Sequence, residues 1–245
     1  MIVGFCGSGN MAAAIARGWA GEFAETLFSD SGSGRARALA EELGGEAVSN
    51  VELAERADLL VLAVKPAKLD EVAPQLAGAT RVVSILAATP LERLRQAFPG
   101  AAVLRTMPNV GVEVRQGVVC VAGDAGEEAR AKLELLGHVV EIGDDEFDEA
   151  TAIMGCAPAY LALAVEALAD AGAEAGLDPE LARELVVETA VGTAELLRSR
   201  QPAAVREAVT SPGGSTEAGL EALDREGARA AFQAAVAASL ERMRS

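Results

Sequence analysis

The segment Ser211-Pro212-Gly213-Gly214-Ser215-Thr216 sets two glycines among hydroxyl side chains, just before a helical run through Leu220, Leu223 and Phe232. Proline presets φ and glycine carries no Cβ, so backbone N–H groups here can approach a ligand closely at a helix N-terminus. The same residues also make an ordinary turn. On their own such residues more often make only a turn than a cradle for a small anion. A second candidate opens the chain, where Gly7-Ser8-Gly9-Asn10-Met11-Ala12 has the G-x-G-x-x-A spacing of a dinucleotide cradle. In that pattern Gly7 makes the tight turn and Gly9 admits the pyrophosphate to the backbone. Ala12 lets helix and strand pack closely, with the phosphates on the helix N-terminus.

Other chemistries are argued against by what the chain lacks. His138 is the single histidine, which rules out a site built on several imidazoles. Beside the strand-like LGHVVEI it reads as a polar residue at a strand entrance. Cys6, Cys120 and Cys156 lie far apart with no C-x-x-C pair. This points to reduced thiols in the cytoplasm, not to a disulfide framework, and no metal site is expected. No basic leader precedes a long apolar core, so no signal peptide is expected. With 37 acidic against 21 basic residues the net charge is −16, which repels nucleic acid and anionic lipid. An anionic small molecule must then be held by local groups against the overall field.

Stretches of alternating period must position these groups. The 245 residues, 51% hydrophobic, suffice for one large core or two modest ones. Strands are predicted at 2–6, 26–30, 46–48, 58–64, 81–87, 101–107, 116–123 and 138–143. Helices fall between them, after Gly9 and at 34–45, 51–57, 67–77, 89–98 and 125–136. Strand and helix periods trading places at this spacing imply a Rossmann-like, doubly wound α/β sheet, a dinucleotide-binding domain over residues 1–150. Asp30 ends the second strand, where a carboxylate binds the ribose hydroxyls of NAD or caps the next helix. Ser31, Ser33, Arg35 and Arg37 follow and suit the extra phosphate of NADP. The reading leans towards NADP.

Residues 151–245 read as an all-helical domain. The run 157–177 is long and apolar enough to raise the question of a membrane. Glu166, Asp170 and Glu174 recur every four residues on one face, which a bilayer would not tolerate unpartnered. The remaining broad apolar face predicts burial in a bundle or at a subunit interface. Asp178-Pro179 supplies the N-cap and first-turn proline of the next helix, a short helix starts at Pro202, and a last helix runs to the end. So small a helical set suggests a homodimer.

Taken in order, GFCGSGNMA, AVKP (63–66), RTMPN (105–109), APAY and SPGGST resemble the pyrroline-5-carboxylate reductase family from end to end. The resemblance implies a helical C-terminal domain for substrate binding and dimerisation, sometimes assembled into rings. It also implies reduction of the cyclic imine carboxylate 1-pyrroline-5-carboxylate to proline with NADPH or NADH. By the same resemblance Ser211, Gly213, Gly214 and Ser215 hold the substrate carboxylate, and the Thr216 hydroxyl faces the ring nitrogen as the catalytic group. Ser8, Asn10 and Met11 line the pyrophosphate turn, and Asn50 lies near the adenosine ribose. Ala63, Val64, Lys65 and Pro66 sit on the cofactor edge, with Met107, Pro108 and Asn109 near the nicotinamide.

The chain departs from the family pattern at Met154-Gly155-Cys156-Ala157, where Ser-Gly-Ser-Gly is usual. Ser215 stands where threonine is common, and Ser199 where some members carry an acid. The altered 154–157 segment motivates one rival reading, a related imine or keto-acid reductase. The other rival, an NAD(P)-binding regulatory protein without turnover, is opposed by the intact loop from Ser211 to Thr216.

Overall fold

The computed structural model describes residues 1–244, and the chain divides into two compact units, one from Met1 to Cys156 and one from Ala157 onward. The division falls a little beyond residue 150. In the first unit β1 (Ile2–Cys6), α1 (Asn10–Gly18), β2 (Glu25–Ser29), α2 (Arg35–Leu43), β3 (Glu46–Ala47), α3 (Asn50–Arg56) and β4 (Leu59–Leu62) alternate as the sequence predicts. Helix α2 stops at Gly44, whose φ of 75° ends the helical turn. Helix α3 starts because the Ser49 side chain accepts from Glu52 N–H at 3.2 Å.

The helix predicted over 67–77 is broken. A 3₁₀ turn (Pro66–Lys68) leads into a single α turn, α4 (Leu69–Val72), and a second 3₁₀ turn (Ala73–Leu76). Pro74 cannot donate to the turn before it, so a continuous helix fails there. Then come β5 (Arg81–Ser84), α5 (Leu91–Ala97), β6 (Ala102–Pro108), a 3₁₀ turn (Val110–Val114), β7 (Gly117–Gly123), α6 (Glu127–Glu134) and β8 (Gly137–Glu141).

These strands form one sheet in the order β3-β2-β1-β4-β5-β6-β7-β8. Neighbours from β3 to β6 pair in parallel, whereas β6 and β7 pair antiparallel. The connector 109–116 is too short for the crossover a parallel partner needs, so the chain turns back. Both faces are covered, which explains the unbroken apolar runs. Val3, Phe5, Phe28 and Val61 point to one core with Ile15 and Trp19. Leu27, Leu60, Leu62 and Val82 point to the other with Leu53 and Leu76.

After a 3₁₀ turn (Asp144–Glu146), α7 (Phe147–Ala150) and a π turn (Thr151–Gly155) end the first unit. The second unit is all helix: α8 (Ala157–Glu174), α9 (Pro179–Leu197), α10 (Pro202–Ala208), α11 (Ser215–Arg225) and α12 (Ala228–Arg244). Asp178 caps α9, accepting from Glu180 and Leu181 N–H at 3.1 Å each. The last helix does not run unbroken to the end, because Gly227 at φ 75° divides α11 from α12. Tyr160 binds Ser239 Oγ at 2.6 Å and ties α8 to α12.

Candidate functional site

The candidate cofactor edge lies where β1, β2 and β4 end. Gly7 takes φ 102°, and a Cβ there would lie 2.5 Å from the Ala63 carbonyl oxygen. Its N–H donates to Ser29 O at 3.0 Å. Only glycine fits that junction. Gly9 is the N-cap of α1 in extended conformation, with open space where a side chain would stand. No side chain caps α1 and its first turn carries no acid, so the N–H groups of Asn10, Met11 and Ala12 could receive a phosphate. Ser8 turns inward instead, its hydroxyl donating to Ser29 O at 3.1 Å. The Ser8 side chain braces the turn, and only its backbone faces the cradle.

Asp30 is engaged within its own loop. Its carboxylate accepts from Gly32 N–H at 2.7 Å, Ser33 Oγ at 2.8 Å and Ala36 N–H at 2.9 Å. Burial opposes ionisation, yet hydrogen bonds from Ala36, Ser33, Gly32 and Arg35 outweigh it and hold the carboxyl below its ordinary value. Of the two roles the sequence leaves open, the geometry favours the cap. Ser31 is exposed on this loop. The guanidinium groups of Arg35 and Arg37 have no partner among the described residues, unlike Arg17, Arg56 and Arg81, which are ion-paired.

Asn50 is wired into the wall. Its Oδ1 accepts from Ser29 Oγ at 2.6 Å and its Nδ2 donates to Gln75 Oε1 at 3.0 Å. Ala63 N–H donates to Cys6 O at 2.8 Å, which fixes the end of β4 beside Gly7. Val64 is partly buried, while Lys65 and Pro66 are exposed on the same edge. Met107 and Pro108 close β6. Asn109 is a tie, not an open contact: its Oδ1 accepts from Val118 N–H at 3.1 Å and its Nδ2 donates to Met154 O at 3.2 Å. It fastens the π turn to β6 and β7.

The residues from Ser211 to Thr216 lie in the other unit. Gly213 takes φ 73°, and Gly214 is the N-cap of α11 with no side-chain cap. A Cβ on Gly214 would lie 2.6 Å from Ser211 Oγ, so the serine hydroxyl nests against the glycine. Gly214 N–H donates to Ser211 O at 2.9 Å, and Gly213 N–H donates to Glu217 Oε2 at 2.6 Å. Both glycine donors are therefore already engaged. The first-turn N–H groups of Ser215 and Thr216 and the exposed Thr216 side chain remain.

Two family profiles match, one for an F420-dependent NADP oxidoreductase coenzyme domain over residues 2–88 and one for pyrroline-5-carboxylate reductase dimerisation over residues 144–245. A pyrroline-5-carboxylate reductase of Synechocystis is 38% identical over 79% of this chain and 76% of its own. That of Pseudomonas aeruginosa is 34% identical over 98% and 94%. The chain belongs to the pyrroline-5-carboxylate reductase family. Among solved structures, the Streptococcus pyogenes 1-pyrroline-5-carboxylate reductase superposes with a TM-score of 0.88 at 32% identity, covering 99% of this chain and 98% of that one. The Plasmodium falciparum enzyme with NADP bound gives 0.86 at 28%, covering 99% and 97%.

In this pyrroline-5-carboxylate reductase family member a half-buried ion pair, not evident from the motifs, ties β6 to the end of the first unit. Arg105, from RTMPN, is buried, with its Nη1 donating to Asp144 Oδ1 at 2.7 Å and to Asp144 O at 2.8 Å. Its guanidinium lies 3.9 Å over the Phe147 ring. Asp144 also accepts from Leu91 N–H at 3.1 Å, tying the start of α5 to the pair. A lone arginine in an apolar strand was the available signal, but its partner is distant in sequence. Cys6, just before Gly7, was read only as a reduced thiol. It is buried against Asn50, and burial pushes it up to about 11.

Proposed function

We propose that this chain reduces 1-pyrroline-5-carboxylate to proline, with NADPH preferred to NADH. Family membership and the loop from Ser211 to Thr216 at the head of α11 support the reaction. The observation that carries the cofactor preference is the engaged Asp30 beside two unpaired arginines: a carboxylate held by its own loop is not offered to a ribose diol, whereas Ser31, Arg35 and Arg37 suit a 2′-phosphate. Gly7, Gly9 and the first-turn N–H groups of α1 would hold the pyrophosphate, with Ala63 to Pro66 along the same edge. When bound, the cofactor supplies hydride to the imine carbon.

The protein's own part is binding, orientation and retention of a proton. The N–H groups of Ser215 and Thr216 receive the substrate carboxylate at the positive end of α11. The Thr216 hydroxyl oxygen accepts from the protonated ring nitrogen, which keeps the proton in place and C5 electrophilic. Orientation of the two reacting carbons provides most of the rate enhancement. The chain acts in the cytoplasm as a homodimer, or as a ring built from homodimers. Met154 to Ala157, partly wound in a π turn where the family pattern is lost, favours one second reading: reduction of a related cyclic imine or keto acid.

The test is oxidation of NADPH and NADH with 1-pyrroline-5-carboxylate, with proline measured as product. Wild-type protein should form proline with the higher kcat/KM on NADPH. T216A should lose about 10–100-fold, the effect of about one to three kcal/mol from one hydrogen bond. Turnover of other cyclic imines but not of this one would select the second reading.

A further inference from the structure

We infer that Glu217 is an internal occupant of the carboxylate loop, and that substrate must displace it to gain the full donor set. The inference rests on the assignment of residues 211–216 to the substrate carboxylate. Glu217 is the third residue of α11, and its side chain reaches back across the first turn so that Oε2 lies 2.6 Å from Gly213 N. Gly213 holds φ 73°, a left-handed turn that glycine adopts readily, and its N–H is the donor that Glu217 accepts. The group bound there is a carboxylate, the same chemistry as the group the substrate brings.

One N–H carries one proton, and two carboxylates at the head of one helix repel each other. Binding of the substrate is therefore an exchange: its carboxylate replaces Glu217 on Gly213, or binds without that donor and beside a like charge. A tethered carboxylate competes at high effective concentration, so the exchange lowers affinity for any small carboxylate. It does not touch the imine or the hydride path. The overall charge of −16 adds to this local opposition. Ser211 is engaged differently. It holds Gly214 N–H through its backbone carbonyl and packs its hydroxyl against the glycine, so the loop keeps its shape when Glu217 leaves. Glu217 sets how tightly carboxylates bind, while the loop backbone sets where they bind.

The experiment compares wild type, E217Q and E217A in steady-state reduction of 1-pyrroline-5-carboxylate, and in titration of L-proline onto the NADP⁺-loaded enzyme. E217A should lower both KM and the proline Kd by about three- to tenfold, the scale of one exposed charge-assisted hydrogen bond. E217Q, still able to accept from Gly213 but without charge, should fall between. The change in kcat should stay smaller than the change in KM. A lower melting temperature with KM and Kd unmoved overturns the inference, because it makes Glu217 only a helix cap. A raised KM, or a loss confined to kcat, overturns it too by making Glu217 a productive contact. Absence of both turnover and proline binding in every form overturns it together with the assignment of function. Turnover with unmoved constants overturns it alone.

Discussion

Side chains near the predicted cradle split into those that face a ligand and those that hold the cradle in shape. Gly7 is fixed by contact with Ala63, and Ser8 and Asn50 spend their polar atoms on β2 and Gln75. Cys6 completes this layer as a neutral thiol, and its raised pKa has a consequence for stability. Below about pH 9 the thiol is protonated in both folded and unfolded chains, so it adds no pH dependence. Between about 9 and 11 the unfolded chain releases the proton while the native one keeps it, so stability falls as pH rises. Two units correspond to about 3 kcal/mol, all of it lost above pH 11. Urea denaturation from pH 8 to 11 should show a steeper loss for wild type than for C6A, and parallel curves would show that Cys6 ionises freely in the native state. The Gly7–Ala12 turn was legible because its requirements are local in sequence. That Ser8 faces inward was not, because its acceptor on Ser29 is brought close only by strand pairing.

Elements were predictable where caps and periods sit inside them, as at Asp178-Pro179 for α9 and Gly44 for α2. They were misjudged where one residue breaks an otherwise helical pattern, at Pro74 in the segment 66–76 and at Gly227 between α11 and α12. The antiparallel turn from β6 to β7 follows from connector length, a constraint that periodicity does not express. Long-range ties were the least visible. Arg105 and Asp144 join β6 to the segment that leads into α7, and Asn109 joins the end of β6 to the π turn. This pair makes a prediction at the scale of elements. Removing Asp144 leaves a buried guanidinium with only the backbone carbonyl of residue 144 as acceptor, at a cost of about 1–3 kcal/mol because the lost carboxylate is itself 36% exposed, whereas replacing both partners with apolar groups removes the charge as well. D144A should therefore lower the urea midpoint more than the double variant R105M/D144A does. A double variant at least as unstable as D144A would show that the pair contributes net stability. The same elements carry Met107 to Asn109, so slack in the pair should also loosen the cofactor edge.

At the scale of the whole molecule, the balance of apolar surface and charge governs association. Leu161, Leu163 and Leu168 on α8 are 65%, 65% and 62% exposed, and Leu185 and Val191 on α9 are 51% and 56% exposed. The sequence predicted an apolar α8 face in need of cover, and within one chain α8 buries Ala169 but leaves those leucines bare. Large apolar patches of this kind mark interaction surfaces in soluble proteins. The matching family profile over residues 144–245 is one of dimerisation, so a second copy is the partner that accounts for the exposure. Charge acts against that pairing, because each chain carries −16 and two copies repel. The apolar contact must then outweigh a long-range repulsion that salt screens, so association should tighten as ionic strength rises. Sedimentation of wild type should show a species of at least twice the 25.0 kDa chain mass, with a dissociation constant that falls with added salt. L161E/L168E, which sets two carboxylates on the apolar face of α8 opposite Glu166 and Asp170, should sediment as a monomer. A monomeric wild type, or a double variant that associates as tightly as wild type, would show that α8 is covered by something other than a second copy.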